Sequence, residues 1–260
     1  MINRLQTLYW FLKRPRLYPQ LIDLVSTKLS RTISMRDDSG QEMLHWCAER
    51  CVDTNTALEE LTGMTAMTPV NSLFFDYFEN AERIKRECPV EMGGPGDIDL
   101  LYWSAEHLKA TRVIETGVAY GWSSLALLLS LRNRKDTKLI STDMPYPNRN
   151  NDAYVGCIVP EELKSDWHII RYADRQALPK ALAILDEIDM CHYDSDKRHE
   201  GRMWAYPLLW NALRPGGFLI SDDIGDNVAF RTFSTIVGGN PIVVKTDGKY
   251  IGIIIKPLGM

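Results

Sequence analysis

Residues able to take part in chemistry are concentrated in three short segments of the second half of the sequence. Residues 115–121 (ETGVAYG), hereafter the glycine turn, follow an apolar, β-branched segment and precede an apolar one. Residues 193–199 (YDSDKRH) and 221–223 (SDD) are rich in carboxylates. Glycines allow a backbone to pass close to a ligand, and carboxylates bind cations or accept protons. The sequence therefore predicts a ligand-binding turn beside a charged reaction site.

The glycine turn lacks the patterns of two common phosphate-binding turns. In a dinucleotide-binding G-x-G-x-x-G pattern that begins at Gly117, Ala119 and Trp122 would occupy the second and third glycine positions. A Walker turn requires Gly-Lys-Ser/Thr, which the sequence does not contain. Glu115 would repel a pyrophosphate but attract the cationic end of an amino acid. The turn therefore indicates a ligand other than a dinucleotide or a nucleoside triphosphate.

Polar residues that follow this turn extend the predicted binding site. Ser123 or Ser124 is expected to cap the next helix, whose N-terminus offers free N–H groups. Asp143 ends the next predicted strand, where a carboxylate can accept hydrogen bonds from both hydroxyls of a ribose. These features favour a ligand that carries a ribose.

The elements that position these residues alternate between strands and helices after Gly96. Helical segments are expected before the first and after the first, third and fourth of five strand-like segments, which are residues 112–116, 138–142, 167–172, 188–193 and 218–221. This alternation predicts a parallel sheet with right-handed crossovers, whose carboxyl edge lines a ligand crevice. Two further strand-like segments flank Asp247-Gly248, a pair typical of hairpins, so the sheet should end in an antiparallel pair.

The first 95 residues have a different pattern. Apolar residues recur at helical spacing over residues 17–29, and further helices are expected over 41–51, 56–61 and 72–85. Pro89–Gly96 (PVEMGGPG) interrupts regular structure and could lie over a site. We therefore predict a helical cap or oligomerisation region over residues 1–95 and an α/β domain over residues 96–260.

Composition and charge limit the possible classes of protein. The 260 residues are 45% hydrophobic and 25% charged, which is typical of a globular protein. The net charge of −4 argues against a nucleic-acid-binding protein. No apolar run approaches the roughly 18 residues of a membrane span. Five irregularly spaced cysteines indicate reduced thiols in a cytoplasmic protein.

The N-terminal segment differs in charge from the whole. Residues 1–31 contain six basic residues and one acidic residue, a net charge of +5, and include the aromatic run Tyr9-Trp10-Phe11. We expect this segment to form a homodimer contact through the N-terminal helices or to pack on its own domain. Contact with an anionic membrane is the alternative.

Five features, in this order along the chain, resemble the class I S-adenosylmethionine-dependent methyltransferases. They are the E-x-G-x-x-x-G turn, Asp143, Asp194, the Arg214-Pro215-Gly216-Gly217 turn and the terminal hairpin. The resemblance covers about residues 96–256. It implies a Rossmann-like, doubly wound α/β sheet of seven strands in the order 3-2-1-4-5-7-6, with strand seven antiparallel, preceded here by a helical extension.

The same resemblance implies S-adenosylmethionine as the cofactor. Glu115 would lie near its methionine part, Asp143 would bind its ribose, and Ala173 and Asp174 would lie near its adenine. The cofactor-binding residues that we predict are Glu115, Thr116, Gly117, Tyr120, Gly121, Ser123, Asp143, Ala173, Asp174 and Asp194.

The two acidic segments end predicted neighbouring strands, so their carboxylates should converge. Such a group requires a cation between its members, and oxygen ligands favour Mg²⁺, Mn²⁺ or Ca²⁺. This part resembles the cation-dependent O-methyltransferases of the catechol, caffeoyl-coenzyme A and macrocin types. The resemblance implies Asp194, Asp222 and Asp223 as metal ligands and Lys197 as the general base, with His199 as a rival base. Asp194 is the third candidate catalytic residue.

The predicted function is a divalent-cation-dependent O-methyltransferase that acts on a small hydroxylated molecule. A sugar or glycosylated metabolite is the first choice of acceptor, because the Asp222-Asp223 pair resembles the macrocin type, whereas the catechol type carries Asn at the second position. An aromatic diol is the second choice. The alternatives are a metal-independent N- or O-methyltransferase and a non-catalytic cofactor-binding or scaffold protein.

Overall fold

The computed structural model describes residues 4–31, 39–147 and 149–259. Within these ranges there are eleven α-helices and eight strands. The helices are α1 Arg4–Leu12, α2 Tyr18–Arg31, α3 Ser39–Ala48, α4 Thr54–Thr62, α5 Val70–Leu73, α6 Phe75–Glu87, α7 Ile98–Leu108, α8 Trp122–Leu131, α9 Asp174–Ile184, α10 His199–Ala212 and α11 Ala229–Ile236. The strands are β1 Cys51–Val52, β2 Arg112–Thr116, β3 Lys138–Thr142, β4 Trp167–Ile170, β5 Ile188–Tyr193, β6 Leu213–Ser221, β7 Ile242–Thr246 and β8 Lys249–Ile255.

All eight described strands form one sheet in the order β1-β7-β8-β6-β5-β2-β3-β4. Strands β2 to β6 pair in parallel, and β8 is antiparallel to both of its neighbours, β6 and β7. The predicted Rossmann-like α/β class is therefore confirmed. The count differs from the predicted seven, because β1 adds an edge strand parallel to β7. A two-residue strand is too short to produce a recognisable alternation of apolar and polar residues.

The central strands are buried on both faces, which explains their nearly continuous apolar character. Successive side chains of β2 point to opposite faces. Val113 packs into a cluster with α7 and α8, whereas Ile114 packs into a second cluster with α9, α10 and α11. Helix α8 is apolar on all sides because Leu125 to Leu129 are all buried. This rigid core fixes the positions at which the parallel strands end.

The N-terminal residues contribute directly to this architecture. Strand β1 extends the sheet, α3 contacts a 3₁₀ turn at Ile224–Asp226, and α4 packs against α7 and β7. The division at residue 96 stays a prediction. None of the helices in the described part of the chain has both the length and the apolar character needed to cross a membrane.

Candidate functional site

The carboxyl ends of the parallel strands open onto a cavity of about 740 Å³. Its wall includes residues 90–97, residues 117–119 of the glycine turn and residues of the β7–β8 hairpin. Of the residues predicted from sequence, the structure places six on this wall: Gly117, Ser123, Asp143, Asp194, Lys197 and Asp222. A volume of this size is typical of a small-molecule site.

The glycine turn takes its shape from close contacts with the end of β5. Gly117 has a φ of +84°, and a Cβ atom there would lie 2.3 Å from the carbonyl oxygen of Asp194. Ala119 adopts a left-handed φ of +48° despite its side chain. Gly121 has a φ of +100°, and a Cβ atom there would lie 3.1 Å from the Cα atom of Gly156. Two positions of the turn therefore require glycine on steric grounds.

Helix α8 starts at Trp122 without a side-chain cap, so the prediction that Ser123 or Ser124 caps it is wrong. The Ser124 hydroxyl instead donates to Glu115 Oε2 at 2.6 Å, and the Ser141 hydroxyl donates to the same oxygen at 2.6 Å. Glu115 is fully buried and does not line the cavity. It connects α8 to two adjacent strands beneath the glycine turn, and its contact with a cofactor stays a prediction.

Asp143 both shapes the glycine turn and lines the cavity. Its Oδ2 accepts hydrogen bonds from the backbone N–H groups of Val118 at 3.0 Å and Ala119 at 3.3 Å. Arg171 binds Oδ1 and also reaches Asp152 at 2.6 Å. Burial raises the pKa of the Asp143 carboxyl, while Arg171 and the backbone donors oppose that change. The sequence analysis missed Arg171, although its position directly after β4, at the same edge of the sheet, was a signal.

Other predicted cofactor residues support the site from outside the cavity wall. Thr116 Oγ1 accepts from the backbone N–H of Asp194 at 3.0 Å, and the Ser195 hydroxyl donates to Asp174 Oδ2 at 2.6 Å. Ala173 directly precedes helix α9. Burial raises the pKa of Asp174. Together these contacts fix the end of β5 relative to β2.

Tyr120 holds the segment that forms one wall of the cavity. Its hydroxyl donates to the carbonyl of Val90 at 2.7 Å and accepts from the backbone N–H of Met92 at 3.3 Å. The segment Pro89–Gly96, at the predicted boundary between the helical region and the α/β domain, therefore does border the site. Neither Tyr120 nor Gly121 lines the cavity itself.

Asp194 and Lys197 form the centre of the charged half of the site. The Lys197 ammonium lies 3.4 Å from Asp194 Oδ1 and also pairs with Asp223. Burial and the nearby charge of Asp222 raise the pKa of Asp194 to about 6. Burial lowers the pKa of Lys197, but the two carboxylates outweigh it and the net change is upward. Lys197 is therefore a cation at neutral pH, and Asp194 is an anion with an unusually high affinity for a proton.

The remaining carboxylates of this edge also have cationic partners. His192 Nε2 lies 3.5 Å from Asp222 Oδ1. Burial lowers the pKa of His192, but Asp222 more than compensates and raises it to about 9. The Lys249 ammonium lies 3.3 Å from Asp223 Oδ1. We refer to Asp194, Asp222 and Asp223 as the acidic edge.

The acidic edge as arranged does not fit a divalent cation. Among the described residues there is no group of three His, Cys, Asp or Glu side chains that could hold a metal ion. Asp223 points to Lys197 and Lys249 and does not line the cavity. Lys197 and Lys249 occupy the positions beside Asp194 and Asp223 in this structure, and the assignment of Asp194, Asp222 and Asp223 as metal ligands stays a prediction. His199, the rival base, is the first residue of α10 and does not line the cavity either.

Residues 114–224 match a family model described as a methyltransferase domain. The matched range includes the glycine turn, Asp143 and all three carboxylates of the acidic edge, and about half of the residues that line the cavity. No curated protein matches the sequence.

Several solved structures share the fold of this chain. An O-methyltransferase from Bacillus cereus in complex with SAH (S-adenosylhomocysteine) has a TM-score of 0.52 at 14% identity, over 78% of this chain and 96% of that one. A cofactor-bound protein from MTB has a TM-score of 0.56 at 14% identity, over 75% and 100%. An SAH-bound methyltransferase from Podospora anserina has a TM-score of 0.53 at 12% identity, over 86% and 97%. At such identities the similarity establishes the fold.

Sequence reasoning missed most of the cations at this site. Lys249 was not considered, although the Asp247-Gly248 turn brings the start of β8 back to the sheet edge. His192 is buried inside β5, but it also lines the cavity and pairs with Asp222. Its place two residues before Asp194 on β5 was the available signal.

Proposed function

We propose that this protein transfers the methyl group of S-adenosylmethionine to a hydroxyl group of a small molecule. The observation that carries the proposal is one cavity whose wall contains both residues 117–119 of the glycine turn with Asp143 and, opposite in character, Asp194 and Asp222 with Lys197. The first half suits a nucleoside cofactor, and the second suits a hydroxyl group that loses its proton. The methyltransferase domain is consistent with this assignment.

The cofactor assignment rests on the chemistry of the glycine turn. Gly117 lets the backbone of the turn pack directly against the carbonyl of Asp194 at the end of β5, and it lines the cavity together with Asp143. Asp143 has lone pairs left after its backbone hydrogen bonds and is placed for ribose hydroxyls. Solved structures with this fold contain SAH, the product of S-adenosylmethionine, which favours the same class of ligand here.

In the proposed reaction, the acceptor oxygen attacks the methyl carbon while the bond from that carbon to the sulfonium sulfur breaks. The products are the methyl ether, S-adenosylhomocysteine and a proton. We assign the proton to Asp194, because its raised pKa of about 6 leaves it ionised yet basic at neutral pH. Lys197 remains protonated, so it is a poor base but can stabilise negative charge that develops on the acceptor oxygen.

The acceptor that we propose first is a sugar or glycosylated metabolite, with an aromatic diol second. Carboxylates of Asp97, Asp222 and Glu91 line the cavity and can accept hydrogen bonds from several hydroxyls. Residues 1–95 supply part of this wall, so we propose that this region acts as a cap that helps to select the acceptor.

Cation dependence is the less supported version of this function. A divalent ion would have to displace Lys197 from both Asp194 and Asp223 before it could bind the acidic edge. We therefore propose that Lys197 and the other cations of the site supply the positive charge themselves.

Two measurements test the proposal. Isothermal calorimetry should detect binding of S-adenosylhomocysteine to the folded protein, and its absence would overturn the proposal. Methyl transfer to a panel of sugars and catechols should then be measured with and without EDTA. We expect activity to persist in EDTA; abolition by EDTA and recovery with Mg²⁺ or Mn²⁺ would instead support the cation-dependent version.

A further inference from the structure

Helix α1 presents an apolar stripe away from the body of the protein. Leu5, Leu8, Tyr9 and Leu12 recur at positions i, i+3, i+4 and i+7 and therefore share one helix face. Each is between 46 and 73% exposed. Ile22 and Val25 of α2 are 66 and 51% exposed. Large apolar side chains exposed together in this way mark an interaction surface.

The opposite side of this segment is firmly attached. Phe11 is fully buried and Leu17 is 1% exposed. The buried Gln20 side chain donates from Nε2 to the carbonyl oxygen of Pro145 at 2.9 Å. Pro145 directly precedes Tyr146, which lines the cavity. The segment is therefore anchored to the methyltransferase domain beside the cavity, and its exposed face belongs to a fixed element.

Two cationic side chains of this segment each lie over an aromatic ring of α1. The Lys13 ammonium lies 4.4 Å from the centre of the Tyr9 ring, and the Arg14 guanidinium lies 4.3 Å from the Trp10 ring. Arg16 is also exposed. Amphipathic aromatic rings and long basic side chains are typical of helices that lie at a lipid–water interface.

The charge of this segment distinguishes between two possible partners of the surface, a second copy of the chain and an anionic surface. Residues 4–25 contain four basic residues and one acidic residue, a net charge of +3, in a protein whose net charge is −4. A two-fold contact between copies would place two such segments against each other, and their like charges would repel. An anionic surface complements the segment instead.

We propose that residues 4–25 dock on the surface of an anionic phospholipid bilayer. The apolar stripe inserts between the acyl chains, and Lys13, Arg14 and Arg16 contact the phosphate headgroups. Docking is peripheral and reversible, because a short apolar face with a few cations provides modest affinity.

Co-sedimentation of the full chain with vesicles tests this proposal. We expect binding to vesicles of phosphatidylcholine mixed with phosphatidylglycerol, weak binding to phosphatidylcholine alone, and release at high salt. The variant with Leu8→Ser and Leu12→Ser should bind at least about tenfold more weakly, because it removes apolar area that becomes buried. The variant with Lys13→Gln and Arg16→Gln should lose about fivefold for each cation.

Matched controls separate this surface from general effects. Ile236→Ser removes an apolar side chain that is 67% exposed on α11, and Lys245→Gln removes an exposed cation on β7. Both controls should bind vesicles like the original protein, and all variants should keep its melting temperature and its affinity for S-adenosylhomocysteine.

Three results would overturn the proposal. They are no sedimentation with the anionic vesicles, equal sedimentation with both vesicle types, and binding that the stripe variants leave unchanged. A dimer in light scattering that Leu8→Ser with Leu12→Ser converts to a monomer, without vesicle binding, would assign the surface to a second copy of the chain.

Discussion

The glycine turn and the acidic edge face the same cavity but are held in place by different means. At the glycine turn, backbone N–H groups donate to Asp143, which Arg171 also binds, and serine hydroxyls donate to one oxygen of Glu115. At the acidic edge, each carboxylate faces a cationic side chain, and one of these cations, Lys249, comes from the terminal hairpin. Close packing and hydrogen bonds therefore stabilise the glycine turn, whereas ion pairs stabilise the acidic edge.

The different contacts of the two regions suit them to different parts of a reaction. Groups that are fixed by backbone hydrogen bonds and close backbone packing are suited to holding a ligand rigidly. Groups with strongly perturbed proton affinities, such as Asp194 and His192, are suited to moving or stabilising charge. Substitutions in the two regions should therefore affect different measurements.

The largest effect is expected from Asp194→Asn. Asparagine keeps the size of the side chain but cannot accept a proton, so kcat should fall by about 1000-fold, within the range typical of a lost general base. Affinity for S-adenosylhomocysteine, measured by calorimetry, should change little. Asp226→Asn, a nearby carboxylate that does not line the cavity, serves as the control. Normal turnover by Asp194→Asn would remove Asp194 from the reaction.

Gly117→Ala should have the next largest effect, on stability. The added Cβ atom would lie 2.3 Å from the backbone of Asp194 in a left-handed conformation, which we expect to cost about 3 kcal/mol. Gly63→Ala is the matched control, because Gly63 has a φ of +73° with no atom within 4 Å of the added Cβ. It should cost only about 1 kcal/mol. If urea denaturation shows the same loss of unfolding free energy for Gly117→Ala and Gly63→Ala, the close contact at Gly117 does not contribute to the cost.

The pH dependence of activity should report on the acidic edge. Because the pKa of Asp194 is raised to about 6, kcat/KM should be high above this pH and fall as the pH decreases through it. Asp222→Asn removes a negative charge that contributes to this increase, so its acidic limb should move to lower pH. An acidic limb that stays in place would show that another group controls it.

The smallest effect is expected from Ala119→Gly in the glycine turn. Ala119 has a φ of +48°, which glycine adopts with less strain, although glycine also increases the entropy of the unfolded chain. We expect a net stabilisation of about 0.5 kcal/mol in thermal denaturation. A clear loss of stability would indicate that the Ala119 methyl group contributes to packing.

Much of the fold could be predicted because its patterns are local. Apolar β-branched segments, the helical repeats between them and the Asp-Gly turn each depend on neighbouring residues. The positions of Gly117 and Asp143 follow from where strands end. Strand β1 was missed because two residues, Cys51 and Val52, form a strand only where β7 offers them an edge.

The charged half of the site was only partly predictable. Which carboxylates stand at strand ends was visible in the sequence, and Asp194 and Asp222 do line the cavity. The cations that neutralise these carboxylates could not be predicted, because they depend on which distant parts of the chain the fold brings to the edge. Lys197 binds a residue on a different strand end, and Lys249 reaches Asp223 only through the hairpin.

Local sequence patterns are enough to predict a Rossmann-like α/β sheet, a glycine turn and acidic strand ends, since each depends on residues that are close together along the chain. The tertiary structure decided that Asp143 organises the turn, that Tyr120 holds a cavity wall and that lysines and His192 balance the acidic edge. Side chains distant in sequence determine the electrostatic environment of a buried site. Their charges act over a few ångströms in space, and only the folded chain fixes those distances.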